Sequence, residues 1–92
     1  MATYEIKMVF KKSADYKEIA TEIDSICEET GINLLEFTGN MVLMGTEDMT
    51  CFGCTYVSLI YSTIIKTSLL DASWKDANGM VSCRKDLLEP VA

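Results

Sequence analysis

Two cysteines with two residues between them, Cys51 and Cys54, form the sharpest chemical motif in the sequence. At the start of a helix, thiols three positions apart share a face, and the backbone N–H groups and helix dipole there stabilise a thiolate. Glu47 and Asp48 precede the pair, and their negative charges oppose thiolate formation. The motif predicts a thiol-redox or metal-binding protein as one interpretation, beside the interpretation that the cysteines are buried and structural.

A four-cysteine zinc site needs Cys27 and Cys83 as its remaining ligands, because the chain contains no histidine. Zinc sites of this kind usually combine two close-spaced cysteine pairs, and the second pair is missing from the sequence. Cys27 also falls on the apolar stripe of a predicted helix, where a free cysteine behaves as a small hydrophobic side chain. We therefore favour structural cysteines and predict no cofactor.

Acid–base and nucleophilic catalysis lack their usual residues in this sequence. Histidine, the common activator of a serine or cysteine nucleophile, is absent. The carboxylate pairs Glu28–Glu29 and Glu47–Asp48 are adjacent in sequence, so on a helix their members point in different directions. The glycines are scattered and form no phosphate-binding loop. These absences favour a protein that is not an enzyme.

Acidic side chains follow the exposed side of the first predicted helix. Like charges four positions apart repel by about 0.2–0.5 kcal/mol each, and Glu29 lies at the helix end where the dipole disfavours anions. A surface with like-charge repulsion and with acids at the unfavourable end of a helix is sometimes retained for binding. A solvated acidic face is the simpler explanation. We predict that this face contacts a protein partner through Asp15, Glu18, Glu22 and Glu29.

The helix that carries these acids is the clearest element in the sequence. Apolar residues recur at three- and four-residue steps from Tyr16 to Cys27, which predicts an amphipathic helix. Ser13 or Asp15 begins this helix as its N-cap, and Gly31 supplies the left-handed residue that ends many helices.

Short strands are predicted on both sides of this helix. They cover residues 3–10, 32–37, 41–45, 68–74 and 80–84. The link Thr38-Gly39-Asn40 contains residues that accept a positive φ, which predicts a hairpin between the second and third strands.

The segment 50–70 fits a helix or a strand by its pattern alone. Its length favours a helix that starts at Thr46, with Glu47 and Asp48 in the first turn and a break near Thr67. Such a helix gathers its large apolar residues on one side, with Ser58, Ser62 and Lys66 opposite. The predicted apolar side consists of Val57, Ile60, Tyr61, Ile64 and Ile65.

Charge limits the classes of partner. The net charge of −6 repels phosphate backbones and anionic lipids, so we predict neither direct nucleic-acid nor membrane binding. Residues 49–65 contain no charge but are too polar for a membrane-spanning helix, and the amino terminus does not resemble an export signal. A cytoplasmic location with reduced cysteines follows as the expectation.

The sequence thus predicts residues 1–92 as one domain with an α+β fold, a small two-layer sandwich. The order of elements matches the ferredoxin-like βαββαβ arrangement, with room for an extra C-terminal strand. We predict a non-enzymatic binding or regulatory module that acts through protein–protein contact, such as an inhibitor. The alternatives are a thiol-redox or metal-binding protein that uses Cys51 and Cys54, and a dimeric ferredoxin-like domain that binds a ligand or acts as an enzyme.

Overall fold

The computed structural model describes residues 3–79 and the backbone of residues 81–83. The elements in chain order are β1 (Tyr4–Phe10), α1 (Tyr16–Thr30), β2 (Asn33–Thr38), β3 (Met41–Thr46), α2 (Met49–Tyr61), α3 (Thr63–Ser68), β4 (Leu69–Lys75) and β5 (Val81–Cys83). No helix in this part of the chain is long and apolar enough to cross a bilayer.

The five strands form one sheet in the order β2-β3-β1-β4-β5, and every neighbouring pair is antiparallel. Ile6, Met8 and Phe10 of β1 are buried on one face of the sheet, while Lys7 is exposed on the other. The helices pack on the buried face, so the molecule has two layers. The prediction of a small two-layer α+β fold is confirmed, and β5 is the additional strand at the C-terminal side.

The first helix has the caps that the sequence predicts. The Asp15 side chain accepts hydrogen bonds from the backbone N–H groups of Lys17 and Glu18, so Asp15 and not Ser13 is the N-cap. Gly31 ends α1 with a φ of 82°, and its N–H donates to the Cys27 carbonyl at 2.8 Å. The buried stripe of Ile19, Ile23 and Ile26 follows the predicted periodicity.

The predicted hairpin is also present, and it sits at one edge of the sheet. Gly39 has a φ of 60° in the turn between β2 and β3, a conformation that favours glycine. Asn40 fixes the turn to the neighbouring strand, because its side-chain amide donates to the Phe10 carbonyl at 3.0 Å. Strand β2 is therefore an edge strand whose Leu34 and Leu35 side chains are exposed.

The prediction that a helix starts at Thr46 is wrong. Thr46 is the last residue of β3 and pairs with Tyr4, so the sheet already uses its backbone. The N-cap of α2 is Asp48, whose side chain accepts from the Thr50 N–H at 2.9 Å. The Thr46 hydroxyl in turn accepts from the Asp48 N–H, which connects the end of the strand to the start of the helix.

The helical interpretation of the ambiguous segment is correct up to Ser68, and the break expected near Thr67 is the change from α3 to β4 between Ser68 and Leu69. A second break, which the sequence pattern does not indicate, lies at Ser62. Ser62 has an extended backbone (φ −85°, ψ 110°) and is the N-cap of α3, accepting from the Ile65 N–H. Residues 69–75 leave the helix because they pair with β1. The prediction of a strand over 68–74 is confirmed within one residue.

The predicted apolar side of this helix is also wrong in part. Val57 and Tyr61 are exposed, whereas Thr55, Leu59 and Ser62 are buried. Helix α2 carries apolar residues all round, so its periodicity does not select one face. Contact with α1 and with the sheet makes the selection instead.

Candidate functional site

The four acids predicted to contact a partner lie along α1 without forming a cluster. Asp15 caps the helix and Glu18 lies in its first turn, while Glu29 is near the other end. At the rise of an α-helix, Asp15 and Glu29 are about 21 Å apart along the axis. No single small ligand contacts them all.

Glu22 has a structural partner that the sequence did not indicate. The Ser62 hydroxyl donates a hydrogen bond to the Glu22 carboxylate at 2.6 Å, and the same hydroxyl accepts from the Ile65 N–H at 3.3 Å. Glu22 therefore connects α1 to the junction of α2 and α3. Together with the capping role of Asp15, this bond explains two of the four acids by the needs of the fold.

An open groove runs between α1 and α2 on the outer side of the helical layer. Helix α1 contributes Glu22 and Glu29 to this helical groove, and α2 contributes Cys54, Val57 and Ser58. The charged side chains in the groove are thus both acidic, and its opposite wall is uncharged. Two of the predicted acids therefore border an apolar surface.

The exposed edge of α2 continues this surface. Met49, Gly53, Val57 and Tyr61 recur at four-residue steps, and we call these residues the outer ridge. The exposed fractions are 69% for Met49, 48% for Val57 and 80% for Tyr61. Helix α2 contains no Asp, Glu, Lys or Arg, although surface helices ordinarily place charges towards solvent. The ridge is an exposed apolar stripe on an uncharged helix.

Gly53 stands in the middle of α2 without a reason inside the molecule. A Cβ atom added to Gly53 meets no atom within 4 Å, and Gly53 is not among the glycines with a positive φ. Glycine inside a helix is less stable than alanine by about 0.5–1 kcal/mol, since it loses more backbone entropy on folding. The chain therefore retains a residue that weakens its own helix.

We predict that Gly53→Ala raises the free energy of unfolding by about 0.5–1 kcal/mol. Chemical denaturation followed by circular dichroism measures the change. The matched control is Gly39→Ala, which lowers stability because the φ of 60° at Gly39 is strained for alanine. A decrease in stability for Gly53→Ala contradicts the absence of an internal contact.

The cysteines of the motif differ in their environment. Cys51 is buried in the core with 9% of its surface exposed, whereas Cys54 is exposed in the helical groove. Cys27, Cys51 and Cys54 are all free thiols. Burial raises the pKa of the Cys27 thiol, and the nearby Asp24 and Cys51 raise it further. Little of Cys27 is therefore in the thiolate form at neutral pH, and its half-buried side chain packs against the core cluster that contains Cys51.

We predict that iodoacetamide at neutral pH alkylates Cys54 faster than Cys27 or Cys51. Cys54 is accessible, Cys51 is buried, and the raised pKa of Cys27 keeps it protonated. Peptide mass spectrometry after timed labelling gives the order, and labelling in denaturant is the control that makes all three reactive. Equal native rates at Cys51 and Cys54 contradict this order and favour a dithiol at the surface.

A metal site has little support among the described side chains. No group of three or more Cys, Asp, Glu or His residues with the geometry to hold a metal ion occurs within residues 3–79. The proposed fourth ligand, Cys83, has a side chain outside the described part of the chain. The zinc hypothesis is therefore left with Cys27, Cys51 and Cys54 in this region.

The outer face of the sheet is a less selective surface. Glu5 and Lys75 form an ion pair at 3.6 Å there, beside Lys7 and Leu43 in a shallow depression. Both signs of charge are present and partly neutralise each other. This face gives no clear preference for a class of ligand.

Comparisons of the chain with protein-family models, with curated proteins and with solved structures find no match. The sequence pattern does not predict the outer ridge, because it places Val57 and Tyr61 on the buried side, whereas both are exposed. The signal that points to the ridge is the glycine within an uncharged helix, at the same four-residue spacing as the exposed Met49.

Proposed function

We propose that the protein is a non-enzymatic binding module that acts through contact with another protein, with the helical layer as its contact surface. The observation that carries this proposal is the uncharged, exposed face of α2 beside the acids of α1. Apolar surface bordered by charged or polar residues is typical of protein–protein interfaces.

The acids take part in this proposal to different extents. Glu29 is exposed in the helical groove and is available for a partner, and Glu18 is exposed on the first turn of α1. Asp15 and Glu22 already serve the helix cap and the bond to Ser62. Glu29 is therefore the member of the predicted set that we expect to contribute most to binding.

We further propose that the fold is ferredoxin-like. The order β2-β3-β1-β4, with a helix between β1 and β2, supports a ferredoxin-like arrangement to which β5 is added. That arrangement occurs with many functions, so it does not by itself favour one. The free thiols of Cys27, Cys51 and Cys54 support a reducing compartment such as the cytoplasm.

Site-specific photo-cross-linking in the native cells tests this function. A benzophenone amino acid replaces Tyr61 on the outer ridge, and in a second variant it replaces Lys7 on the outer face of the sheet. We expect a discrete protein adduct from position 61 only, which Val57→Glu in the same chain removes. Adducts from position 7 alone, or from neither position, contradict a contact surface on the helical layer.

Thiol chemistry at Cys51 and Cys54 stays the alternative hypothesis. The accessible Cys54 thiol in the groove supports it, and the burial of Cys51 weighs against a dithiol that reacts at the surface. The alkylation experiment above separates the two hypotheses. Elemental analysis of the purified protein tests the metal-binding form directly.

A further inference from the structure

The outer ridge has the spacing of a helix-packing surface. Residues at four-residue steps form the ridges that fit into the grooves of a neighbouring helix. Met49, Val57 and Tyr61 project from such a ridge, and Gly53 leaves a notch between them.

The notch at Gly53 is independent evidence that another chain packs against α2. Neither the backbone conformation nor an internal contact requires glycine at this position. A glycine that the fold does not need is explained when another backbone approaches closely from outside. Gly53 borders the helical groove, so the approaching chain comes from the side of α2 that faces solvent.

Charge selects among the chains that fit this surface. Glu22 and Glu29 are the charged residues of the groove, and the whole protein has a net charge of −6. A second copy brings the same acids to the same surface, which opposes self-association. A cationic partner neutralises Glu29 while its apolar side chains cover the ridge.

We propose that the outer ridge and helical groove bind an amphipathic helix of another protein, with Lys or Arg beside its apolar face and its closest approach at Gly53. This inference rests on the proposed function and specifies the partner. The Val57 and Tyr61 side chains pack against the apolar face of the bound helix, and Glu29 pairs with its cations.

Three synthetic helical peptides serve as probes. The first has a Leu/Ala face flanked by lysines, the second has the same face flanked by glutamates, and the third has the lysines with the apolar residues scrambled. Fluorescence anisotropy measures the affinity, and amide NMR shifts locate the bound peptide. We expect the first peptide to bind best, with the shifts confined to α2 and the adjoining side of α1.

Variants of the protein test the notch and the charge. We expect Gly53→Leu to weaken binding of the lysine peptide by about tenfold or more, because the added side chain fills the notch. Thr21→Leu, at an exposed position of α1, is the matched control and leaves the affinity unchanged. We expect Glu29→Lys to lower the affinity of the protein for the lysine peptide and to raise its affinity for the glutamate peptide.

Several results overturn the inference. These are no binding of the lysine peptide up to millimolar concentration, equal binding of the glutamate or scrambled peptide, and an unchanged affinity in Gly53→Leu that folds normally. Two further results would show that the outer ridge contacts something else. One is binding of the protein, through α2, to neutral phosphatidylcholine vesicles and not to the peptide. The other is a dimer in sedimentation that Gly53→Leu dissociates. A cross-linked partner at position 61 whose contact segment is not a basic helix overturns this inference alone, while the absence of any adduct there contradicts the proposed function as well.

Discussion

Replacing Leu59 with alanine lowers the free energy of unfolding by about 2–5 kcal/mol, the largest effect we expect from a single change in α2. The Leu59 side chain is fully buried within the core formed between the helices and the sheet. Its removal loses apolar burial and leaves a cavity that the packed neighbours fill only in part. Urea unfolding monitored by circular dichroism gives the difference.

The matched control for this prediction lies half a turn away on the same helix. Val57→Ala removes an exposed side chain, and we expect it to change stability by no more than about 0.5 kcal/mol. The comparison tests which side of α2 faces the core. If Val57→Ala lowers the free energy of unfolding more than Leu59→Ala does, the face predicted from the sequence periodicity is the buried one. The outer ridge would then not be exposed.

Replacing Ser62 with alanine lowers the free energy of unfolding by about 2–3 kcal/mol. Ser62 is 8% exposed, and its hydroxyl both caps α3 and donates to the Glu22 carboxylate. Alanine removes the cap and the charge-assisted bond together. Equilibrium unfolding in urea measures the loss.

The contribution of Glu22 is isolated by a double-mutant cycle with Glu22→Ala, which removes the accepting carboxylate. We expect a coupling energy of about 1 kcal/mol between positions 22 and 62, because each variant alone disrupts their shared bond. Ser58→Ala, one turn earlier and half-buried, is the matched control and changes stability by less than about 0.5 kcal/mol. Additive effects at positions 22 and 62, or equal losses at 58 and 62, contradict a structural role for this bond.

Some acids of α1 form bonds within the fold, although all of them belong to one local pattern in the sequence. From sequence, Asp15, Glu18, Glu22 and Glu29 appear as one repulsive series on α1. The structure gives Asp15 a capping bond and Glu22 a bond to Ser62. The bond from Ser62 spans forty positions of the chain, so no local pattern contains it. The carboxylates of Glu18 and Glu29 form no such bond with other described residues, and Glu29 is exposed in the groove.

The sequence by itself determined the elements whose signals are local. The Asp15 cap, the apolar stripe of α1, the Gly31 terminator and the Gly39 turn depend on residues within a few positions of one another. These signals do not depend on contacts with distant parts of the chain. For this reason α1 and the β2–β3 hairpin agree closely with their predicted bounds.

Only the tertiary structure decided the arrangement of residues 46–70. Thr46 joined a strand because Tyr4 pairs with it, and the helix broke at Ser62, where the buried hydroxyl bonds Glu22. The burial of Leu59 and the exposure of Val57 followed from the side on which α1 and the sheet pack. A helix that is apolar on every side contains no local preference for one face, so long-range packing determined both which residues of α2 form the core and which stay exposed.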